Sequence, residues 1–404
     1  LAEKTGADIV FGPTAQTSYK SIIAEDGQEF KIGAITVKVL HTPGHTQESS
    51  TFLLIDENGK DHAIFSGDTL FIGDVGRPDL AVKSDITQEG LATHLFDSLR
   101  SKLMTLPDSV IVYPSHGAGS ACGKNMSKET FDTLGHQKEV NYALRADMTK
   151  EEFVKEVLTG LIAPPAYFPK NVAMNKSVNT EIDEILKTGT IPLTIDTFKA
   201  MVDSKGAMII DTRHQTSFTK EHIPGSIFFG IDGGFAPWVG ALVSDINQPI
   251  IIVADEGREE EVVTRLSRIG YDNSLGYLKG GITAWKEAGL ETTSIISLQP
   301  SEIVELVNAE KSNLVDIRKP SEFLSEHVEE AVNAPLDVIN DQMDDLSKDI
   351  TYHIHCAGGY RSVIYTSIMK SRGYHNLIDV AGGYGLMKET EGFHISEYVC
   401  PTTL

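Results

Sequence analysis

An internal repeat in the second half of the chain constrains its fold more than any other feature. Residues 209–227 (IIDTRHQTSFTKEHIPGSI) match residues 314–332 (LVDIRKPSEFLSEHVEEAV), and a Gly-Gly pair lies near the end of each copy, at Gly281 and Gly383. Within each copy, short apolar strands alternate with helical segments, which is typical of a parallel α/β sheet. The second half therefore contains two copies of one module of about a hundred residues.

Composition and charge exclude several classes of partner. Of the 404 residues, 41% are hydrophobic and 23% are charged, which is ordinary for folded domains, and no apolar run is long enough to span a membrane. The formal charge of −22 would repel phosphates, so we expect neither nucleic acid nor an anionic membrane as a partner. Three cysteines are too few for a disulfide framework, which favours a reducing, cytoplasmic compartment. We also expect a homo-oligomer.

The sequence divides into three predicted domains. Residues 1–185 alternate short strands with Gly/Asp-rich turns and end in helices, residues 190–295 hold the first copy of the repeat, and residues 296–404 hold the second. The turn ENGK predicts a hairpin in the first domain. A capping box at Thr149–Glu152 predicts the start of one helix, and another is predicted from Ser127 towards Asn141.

Both ends of the first domain carry distinct signals. The chain opens at Leu1 with a run that reads as the last turn of a helix closed by Gly6, so we expect the front part of this domain to be absent from the sequence. Near the other end, Pro164, Pro165 and Pro169 exclude a regular helix and mark the boundary.

One cysteine lies where a loop can activate it. Cys356 follows the strand-like segment TYHIH, and the loop Cys-Ala-Gly-Gly-Tyr-Arg leads into an amphipathic helix. Backbone N–H groups and the helix dipole at such a position stabilise a thiolate or an anionic group attached to it. Gly358 and Gly359 allow a tight curl around the sulfur, and Arg361 adds a positive charge. We therefore predict a reactive thiol rather than a buried core cysteine.

Residues 296–398 resemble the rhodanese family of sulfurtransferases. The shared motifs are Asp316-Ile-Arg318, His327, the loop Cys356–Arg361 and Gly382-Gly383-Tyr384. The resemblance implies that Cys356 carries a persulfide, and the six-residue loop has the length of sulfur-handling members. In the first copy, Asp255 is predicted at the position of Cys356, ahead of a shorter loop. Because a carboxylate cannot carry sulfane sulfur, we expect residues 190–295 to be an inactive rhodanese-like module with a structural or docking role.

Polar side chains follow three strands of the first domain. The clusters are His41-Thr-Pro-Gly-His45, Ser66-Gly-Asp68 and Tyr113-Pro-Ser-His116. Because each cluster directly follows an apolar strand, we expect these side chains to meet at one edge of a layered fold. Imidazole and carboxylate together suit Fe²⁺, Zn²⁺ or Mn²⁺. The three strand ends therefore predict a metal site.

These clusters resemble the metallo-β-lactamase fold, and His45, Asp68 and His116 fall on its later metal-binding motifs. The predicted fold class is thus α/β: a metallo-β-lactamase-like αββα sandwich, incomplete at its start, followed by two rhodanese-like parallel α/β domains. The family's front motif, His-x-His-x-Asp-His, occurs nowhere in the 404 residues. The resemblance therefore implies a missing histidine ligand, and we expect these residues alone to bind metal weakly or not at all.

Two further strings narrow the resemblance to persulfide dioxygenases fused to rhodanese modules. They are IGDVGRPDL, around Arg77, and GAGSACGK, around Cys122. The resemblance implies one Fe(II), with zinc as the alternative metal, held by two histidines and one aspartate and open to O2 and a persulfide. In this sequence the ligands would be His45, Asp68 and the missing histidine.

The resemblance leaves alternatives open for three residues. His116 would be a ligand position retained from dinuclear relatives, or a group that hydrogen-bonds a ligand. Arg77 would bind the carboxylate of a thiol substrate or the developing sulfite, or form an ion pair with Asp74 or Asp79. Cys122 would handle sulfur near the metal or be a buried loop cysteine.

We therefore expect an enzyme of sulfide metabolism with two complementary chemistries. The first domain would oxidise a low-molecular-weight thiol persulfide with O2 to sulfite, and the last would transfer sulfane sulfur through Cys356 to sulfite, giving thiosulfate. One alternative is a glyoxalase II-like thioester hydrolase with a dinuclear metal site that includes His116. Another is a metal-free sulfur carrier and docking protein that uses Cys356 alone.

Overall fold

The computed structural model of the chain describes residues 2–82, 86–118, 120, 122–124, 126–161, 167–178, 180–342 and 346–400. Leu1, Pro164 and Pro165 lie outside these residues. The prediction that Pro169 excludes a helix is wrong, because this proline lies in the first turn of the helix Phe168–Asn175, where no hydrogen bond from its nitrogen is needed. Contacts divide the chain into two units, one reaching to Phe168 with Val172–Val178, and one formed by Pro169–Asn171 and the chain beyond Val178. Within the described ranges, no helix is long and apolar enough to cross a membrane.

A six-stranded mixed sheet forms the centre of the first unit. The described strands of this unit are β1 (Val10–Phe11), β2 (Ile22–Ile23), β3 (Glu29–Ile32), β4 (Ile35–His41), β5 (Ser50–Ile55), β6 (Asp61–Gly67), β7 (Ile111–Pro114) and β8 (Asp132–Thr133). The sheet has the order β3-β4-β5-β6-β7-β8, with only β6 and β7 parallel. β1 and β2 form a separate parallel pair. The second large sheet of the predicted sandwich is therefore not among the described residues.

Helices pack on this sheet around an apolar core. They are α2 (Gln88–Ser98), α3 (Leu134–Val140) and α4 (Lys150–Leu158). The short helix α1 (Ala2–Thr5) precedes the strands, and α5 (Phe168–Asn175) follows where the two units meet in sequence. The core includes Ile64, Leu95 and Phe153, all fully buried. Leu99–Leu103 continues α2 as a π-helical segment, and Tyr142–Leu144 is a 3₁₀ turn.

Two local predictions in the first unit are confirmed, and the predicted start of one helix is wrong. The ENGK hairpin and the capping box of α4 are confirmed, the latter by reciprocal hydrogen bonds between Thr149 and Glu152. The helix predicted from Ser127 begins only at Leu134. The reason is that Asp132 and Thr133 pair with β7 as an edge strand, and the Thr133 hydroxyl then caps α3.

The second unit contains two sheets of the same design. The first module comprises α6 (Ile182–Gly189), β9 (Pro192–Leu193), α7 (Ile195–Lys205), β10 (Met208–Asp211), α8 (Gln215–Lys220), β11 (Ile227–Phe228), α9 (Phe235–Leu242), β12 (Ile250–Val253), α10 (Glu259–Ser267), β13 (Ser274–Leu278) and α11 (Gly281–Glu287). The second comprises β14 (Ile296–Leu298), α12 (Pro300–Asn308), β15 (Asn313–Asp316), α13 (Pro320–Ser325), β16 (Val332–Asn333), α14 (Ile339–Gln342), β17 (Tyr352–His355), α15 (Arg361–Ser371), β18 (Leu377–Val380) and α16 (Gly383–Glu389).

Strand order confirms the internal repeat. The first sheet runs β11-β10-β12-β13-β9 and the second runs β16-β15-β17-β18-β14, so every strand has a counterpart, and all pairs are parallel. Each sheet has helices around it, as expected for a parallel sheet that is apolar on both faces. The predicted α/β fold class is therefore confirmed.

A buried ion pair lies at the carboxyl end of the second strand in sequence of each module. Arg213 forms a bidentate pair with Asp211, and Arg318 forms the same pair with Asp316, with closest N–O distances of 2.6 Å in both. Both aspartate side chains are fully buried. Each arginine also donates to a backbone carbonyl eight residues on, so the charge buried in each module is satisfied.

We expect Asp316→Ala to lower the free energy of unfolding of the second unit by about 3 kcal/mol, because it leaves a buried guanidinium without its carboxylate. Urea unfolding followed by circular dichroism measures the loss. Lys388→Ala is the matched control, since it removes the ion pair of Lys388 with Glu326, in which the lysine is half exposed, and should cost less than about 1 kcal/mol. Equal losses in the two variants would contradict this assignment.

Candidate functional site

Cys356 lies at the base of the loop between β17 and α15. Its side chain is buried, and the N–H of Gly359 donates a hydrogen bond to Sγ at 3.1 Å. Gly359 has a φ of +88°, a left-handed conformation that glycine adopts without steric cost. The hydroxyl of Ser362, in the first turn of α15, lies 3.7 Å from Sγ. The loop therefore directs the backbone N–H of Gly359 at the sulfur, while the thiol lies within donating distance of the Ser362 hydroxyl oxygen.

The two glycines of the loop have different roles. Gly358 is exposed, and a Cβ added to it would meet none of the described atoms within 4 Å. Any other residue at position 359 would instead have to adopt this positive φ, which residues with a Cβ rarely do. Gly359 is thus the glycine on which the loop conformation depends, while Gly358 lies at its open side.

Residues at the start of α16 contact the backbone of Cys356. The N–H of Tyr384 donates to the Cys356 carbonyl oxygen at 2.6 Å, and a Cβ on Gly383 would overlap that oxygen. The Tyr384 ring in turn lies 4.0 Å from the guanidinium of Arg318. The Gly-Gly-Tyr motif therefore connects the buried Asp–Arg pair to the reactive loop.

Arg361 is paired within its own module. Its guanidinium forms two hydrogen bonds with the carboxylate of Glu322, at 2.7 and 2.8 Å. Burial opposes the charge on Arg361, but the ion pair outweighs it and raises the arginine pKa. Burial likewise opposes ionisation of Glu322, and the hydrogen bonds and charge of Arg361 lower its pKa overall. The sequence predicted the positive charge at Arg361 and missed Glu322, which lies in α13 and has no motif of its own.

The first module places Ala254, not Asp255, at the position of Cys356. In each sheet, the aspartate that ends the second strand in sequence pairs in register with the last residue of the central strand, Val253 in the first module and His355 in the second. The residue after each is therefore Ala254 or Cys356. The prediction that Asp255 replaces the cysteine is therefore wrong by one residue. The equivalent position follows from the register of the parallel strands, which motif spacing does not reveal.

The loop of the first module has the same length as the active loop. It runs from Ala254 to Glu259, the first residue of α10, just as the other runs from Cys356 to Arg361. Gly257 has a φ of +85°, matching the φ of +88° at Gly359 in the second module. The prediction of a shorter loop is therefore wrong. The first module retains the backbone turn but has a methyl group in place of the thiol and a glutamate in place of the arginine.

We expect Ala254→Cys to place a thiol in this turn without creating a stable persulfide carrier. Glu259 and its neighbours put negative charge where the active loop has Arg361, which disfavours an anionic sulfur. Persulfide formation measured by mass spectrometry after exposure to a small-molecule persulfide tests this, with Asp255→Cys as the off-position control. Adding Glu259→Arg should increase loading several-fold. Stable persulfide on Ala254→Cys alone, in protein that also carries Cys356→Ser, would contradict it.

Potential metal ligands converge in the first unit. The donor atoms of His45, Asp68 and Cys122 all lie within 4.8 Å of one another. His45 Nε2 is 3.3 Å from Asp68 Oδ2, and His116 Nε2 is 3.5 Å from Asp68 Oδ1. Since ligand bonds to such ions are about 2 Å long, these separations let neighbouring donors bind one ion. The imidazole and carboxylate donors therefore fit Fe²⁺ or Zn²⁺.

The backbone around Arg77 orients this cluster. The Arg77 carbonyl oxygen accepts a hydrogen bond from His45 Nδ1 at 2.9 Å, which directs the Nε2 lone pair towards Asp68. A Cβ on Gly76 would overlap the Asp68 carbonyl oxygen, so glycine is required for this close approach. The Arg77 side chain is buried and forms a bidentate pair with Asp79 at 2.7 and 2.6 Å. An ion pair with Asp79 is one of the two roles that the sequence left open for Arg77.

Cys122 reaches the cluster through the same segment. The Arg77 N–H donates to the Cys122 carbonyl oxygen at 3.0 Å, and the thiol is buried. Burial raises the pKa of this thiol, and the neighbouring Asp68 carboxylate adds to the increase. Cys122 is thus a possible metal ligand that sequence reasoning did not predict. The sequence placed Cys122 near the metal only as a sulfur-handling residue or a buried loop cysteine, because the path of a loop is not determined by spacing.

Comparisons with known proteins define the class. The rhodanese-like domain model matches residues 194–288 and 299–389. A metallo-β-lactamase structure from Staphylococcus aureus is 29% identical, covers 69% of this chain and 78% of that chain, and superposes with a TM-score of 0.57. The chain is therefore a metallo-β-lactamase-fold domain fused to two rhodanese-like domains.

Curated relatives match shorter stretches. The human mitochondrial persulfide dioxygenase is 32% identical over 132 residues, covering 32% of this chain and 43% of that protein. A probable hydroxyacylglutathione hydrolase of Schizosaccharomyces pombe is 32% identical over 107 residues, covering 26% of this chain and 37% of that protein. The chain thus spans less than half the length of each of these two relatives.

Proposed function

We propose that this chain belongs to an enzyme of sulfur metabolism that oxidises a low-molecular-weight persulfide with O2 and transfers sulfane sulfur through Cys356. The observation that carries the proposal is the surroundings of Cys356, a buried sulfur that accepts a hydrogen bond from Gly359 at the N-terminus of α15. The match to the rhodanese-like domain model and the likeness to a persulfide dioxygenase support it.

The transfer step uses Cys356 as a nucleophile. Its thiolate attacks the outer sulfur of a persulfide RSSH, which forms a Cys356 persulfide and releases the thiolate RS⁻. Sulfite then attacks the outer sulfur of that persulfide, so that thiosulfate leaves and the Cys356 thiolate is regenerated. No net oxidation occurs, because one sulfur–sulfur bond breaks as another forms. The N–H of Gly359 stabilises the anionic sulfur in both states.

The oxidation step would take place at the cluster of the first unit. Its balance is RSSH + O2 + H2O giving RSH and sulfurous acid, which ionises to sulfite. When bound, Fe(II) would supply the redox chemistry with O2 that side chains lack. His45 and Asp68 would hold the ion, the Arg77 carbonyl keeps His45 in the required tautomer, and the Ser115 hydroxyl donates to Asp68. Cys122, whose sulfur lies within 4.8 Å of the donor atoms of both His45 and Asp68, would be the third protein ligand among the described residues.

Cys356→Ser should abolish formation of thiosulfate from sulfite and a persulfide while leaving persulfide-dependent O2 consumption largely unchanged, because only the thiol carries sulfur between donor and acceptor. Thiosulfate analysis and an oxygen electrode give the two readouts. Cys400→Ser is the matched control, since that cysteine is exposed near the end of the chain. Loss of both activities in folded, metal-loaded Cys356→Ser would contradict separate sites.

A thioester hydrolase with two metal ions is the second candidate. It is favoured by the distance of 3.5 Å between His116 Nε2 and Asp68 Oδ1, and by the likeness to a probable hydroxyacylglutathione hydrolase. In that reaction His116 would be a ligand of a second ion, and a metal-activated water would be the nucleophile. The two candidates therefore differ in what His116 does.

Metal stoichiometry separates these candidates. In iron-loaded protein, the dioxygenase proposal predicts one iron per chain, retained in His116→Ala and lost in His45→Ala and Asp68→Ala. Removing one of three protein ligands leaves too few to hold Fe²⁺ against water. Elemental analysis of the purified variants measures the content. Two metals in the wild type, with one lost in His116→Ala, would favour the hydrolase instead.

A further inference from the structure

Tyr360 belongs to the reactive loop but docks on the other module. It lies between Gly359 and Arg361, and its hydroxyl donates a hydrogen bond to the carbonyl oxygen of Gly230 at 2.7 Å. Its ring packs edge-on against Phe228 of β11, with 5.4 Å between ring centroids. Burial raises the pKa of this phenol well above its ordinary value, so the hydroxyl keeps its proton and remains a donor.

Glycines of the first module shape the contact. A Cβ on Gly233 would overlap the Tyr360 ring, and a Cβ on Gly230 would lie 3.1 Å from it. Neither glycine has a positive φ, so the backbone alone does not require glycine at these two positions. The absence of a side chain is instead needed for the close approach of the ring. Phe228, Gly230 and Gly233 therefore form a socket for Tyr360.

A second contact fixes the helix that follows the loop. β11 is the edge strand of the first sheet, and the N–H of Phe228 donates to the hydroxyl of Ser367 in α15 at 3.0 Å. Ser367 is buried and itself donates to the carbonyl oxygen of Ile364. The edge strand is thus covered by α15, the helix that directly follows the loop of Cys356.

The contact is not reciprocal. Arg258 occupies the place of Tyr360 in the first module, directly before α10. Its guanidinium pairs with Asp232 and Glu261 of its own module, at 2.7 and 2.8 Å. Tyr360 of the second module therefore contacts the first module, whereas the equivalent Arg258 forms these ion pairs within its own module.

We propose that the first rhodanese-like module, which lacks a nucleophile, positions the sulfur-carrying loop of the second by holding Tyr360 in the socket formed by Phe228, Gly230 and Gly233. Tyr360 is a positioning residue: it keeps the adjacent Gly359 in the conformation that points its N–H at Cys356 Sγ. The sulfur-transfer part of this inference rests on the proposed function, whereas the positioning part concerns the reactivity of the thiol itself.

Alkylation of Cys356 by iodoacetamide across a pH series tests the positioning. Gly233→Ala should slow alkylation at neutral pH by about tenfold and shift its pH dependence upwards, because the displaced loop withdraws a hydrogen bond from the thiolate. Tyr360→Ala should act in the same direction, and Tyr360→Phe, which keeps the ring, should have a smaller effect. Cys122→Ser and Cys400→Ser in the background leave Cys356 as the only thiol.

A double-mutant cycle makes the test specific. With Tyr360→Ala present, Gly233→Ala should have little further effect, since the ring that it would displace is gone. Gly234→Ala is the matched control, because its Cβ would meet Trp238 of the first module and not Tyr360. It should leave the pH profile of alkylation unchanged even if it lowers stability.

The outcomes separate this inference from the proposed function. Unchanged alkylation profiles in folded Gly233→Ala and Tyr360→Ala would overturn the positioning role, as would additive effects in the cycle or an equal shift in Gly234→Ala. Failure of the wild type to form a Cys356 persulfide would overturn the transfer function while the alkylation profiles still decide the role of the socket. If both hold, persulfide loading in Gly233→Ala should fall with alkylation by a similar factor.

Discussion

The buried pair of Asp316 and Arg318 is the constraint on which the sulfur site depends. Two charges are removed from water at the carboxyl end of β15, which is tolerated because the pairing is bidentate and the guanidinium has further partners. One of these is the ring of Tyr384, whose N–H holds the carbonyl oxygen of Cys356. Fold stability and the placement of the reactive thiol are thus connected through one arginine.

The two modules share one fold although only the second has a cysteine in its loop. The first retains its own buried ion pair, its parallel sheet and the left-handed glycine of its loop. It differs at two side chains, Ala254 and Glu259, which remove the nucleophile and reverse the local charge. What remains is a surface, and Gly230 and Gly233 on that surface accept a side chain from the active loop. A module without the thiol therefore still contacts the loop that carries it.

The first unit gathers its polar groups in a different way. β4, β6 and β7 lie close together in one sheet, so the residues that follow them meet at its edge, where His45 and His116 each lie beside Asp68. The segment around Arg77 then crosses this edge and connects His45 to the loop of Cys122. The strand order therefore brings these polar side chains together, and the segment around Arg77 orients His45.

Sequence by itself determined the repeat, the alternation of strands and helices, the capping box at Thr149 and the loop that carries Cys356, because each depends on neighbours within a few residues. It did not determine that α3 begins at Leu134, that Ala254 rather than Asp255 is the counterpart of the cysteine, or that Tyr360 docks on the first module. Those features depend on strand pairing, ladder register and contact between modules. They bring together segments far apart in the chain, whose choice of partner no local pattern encodes.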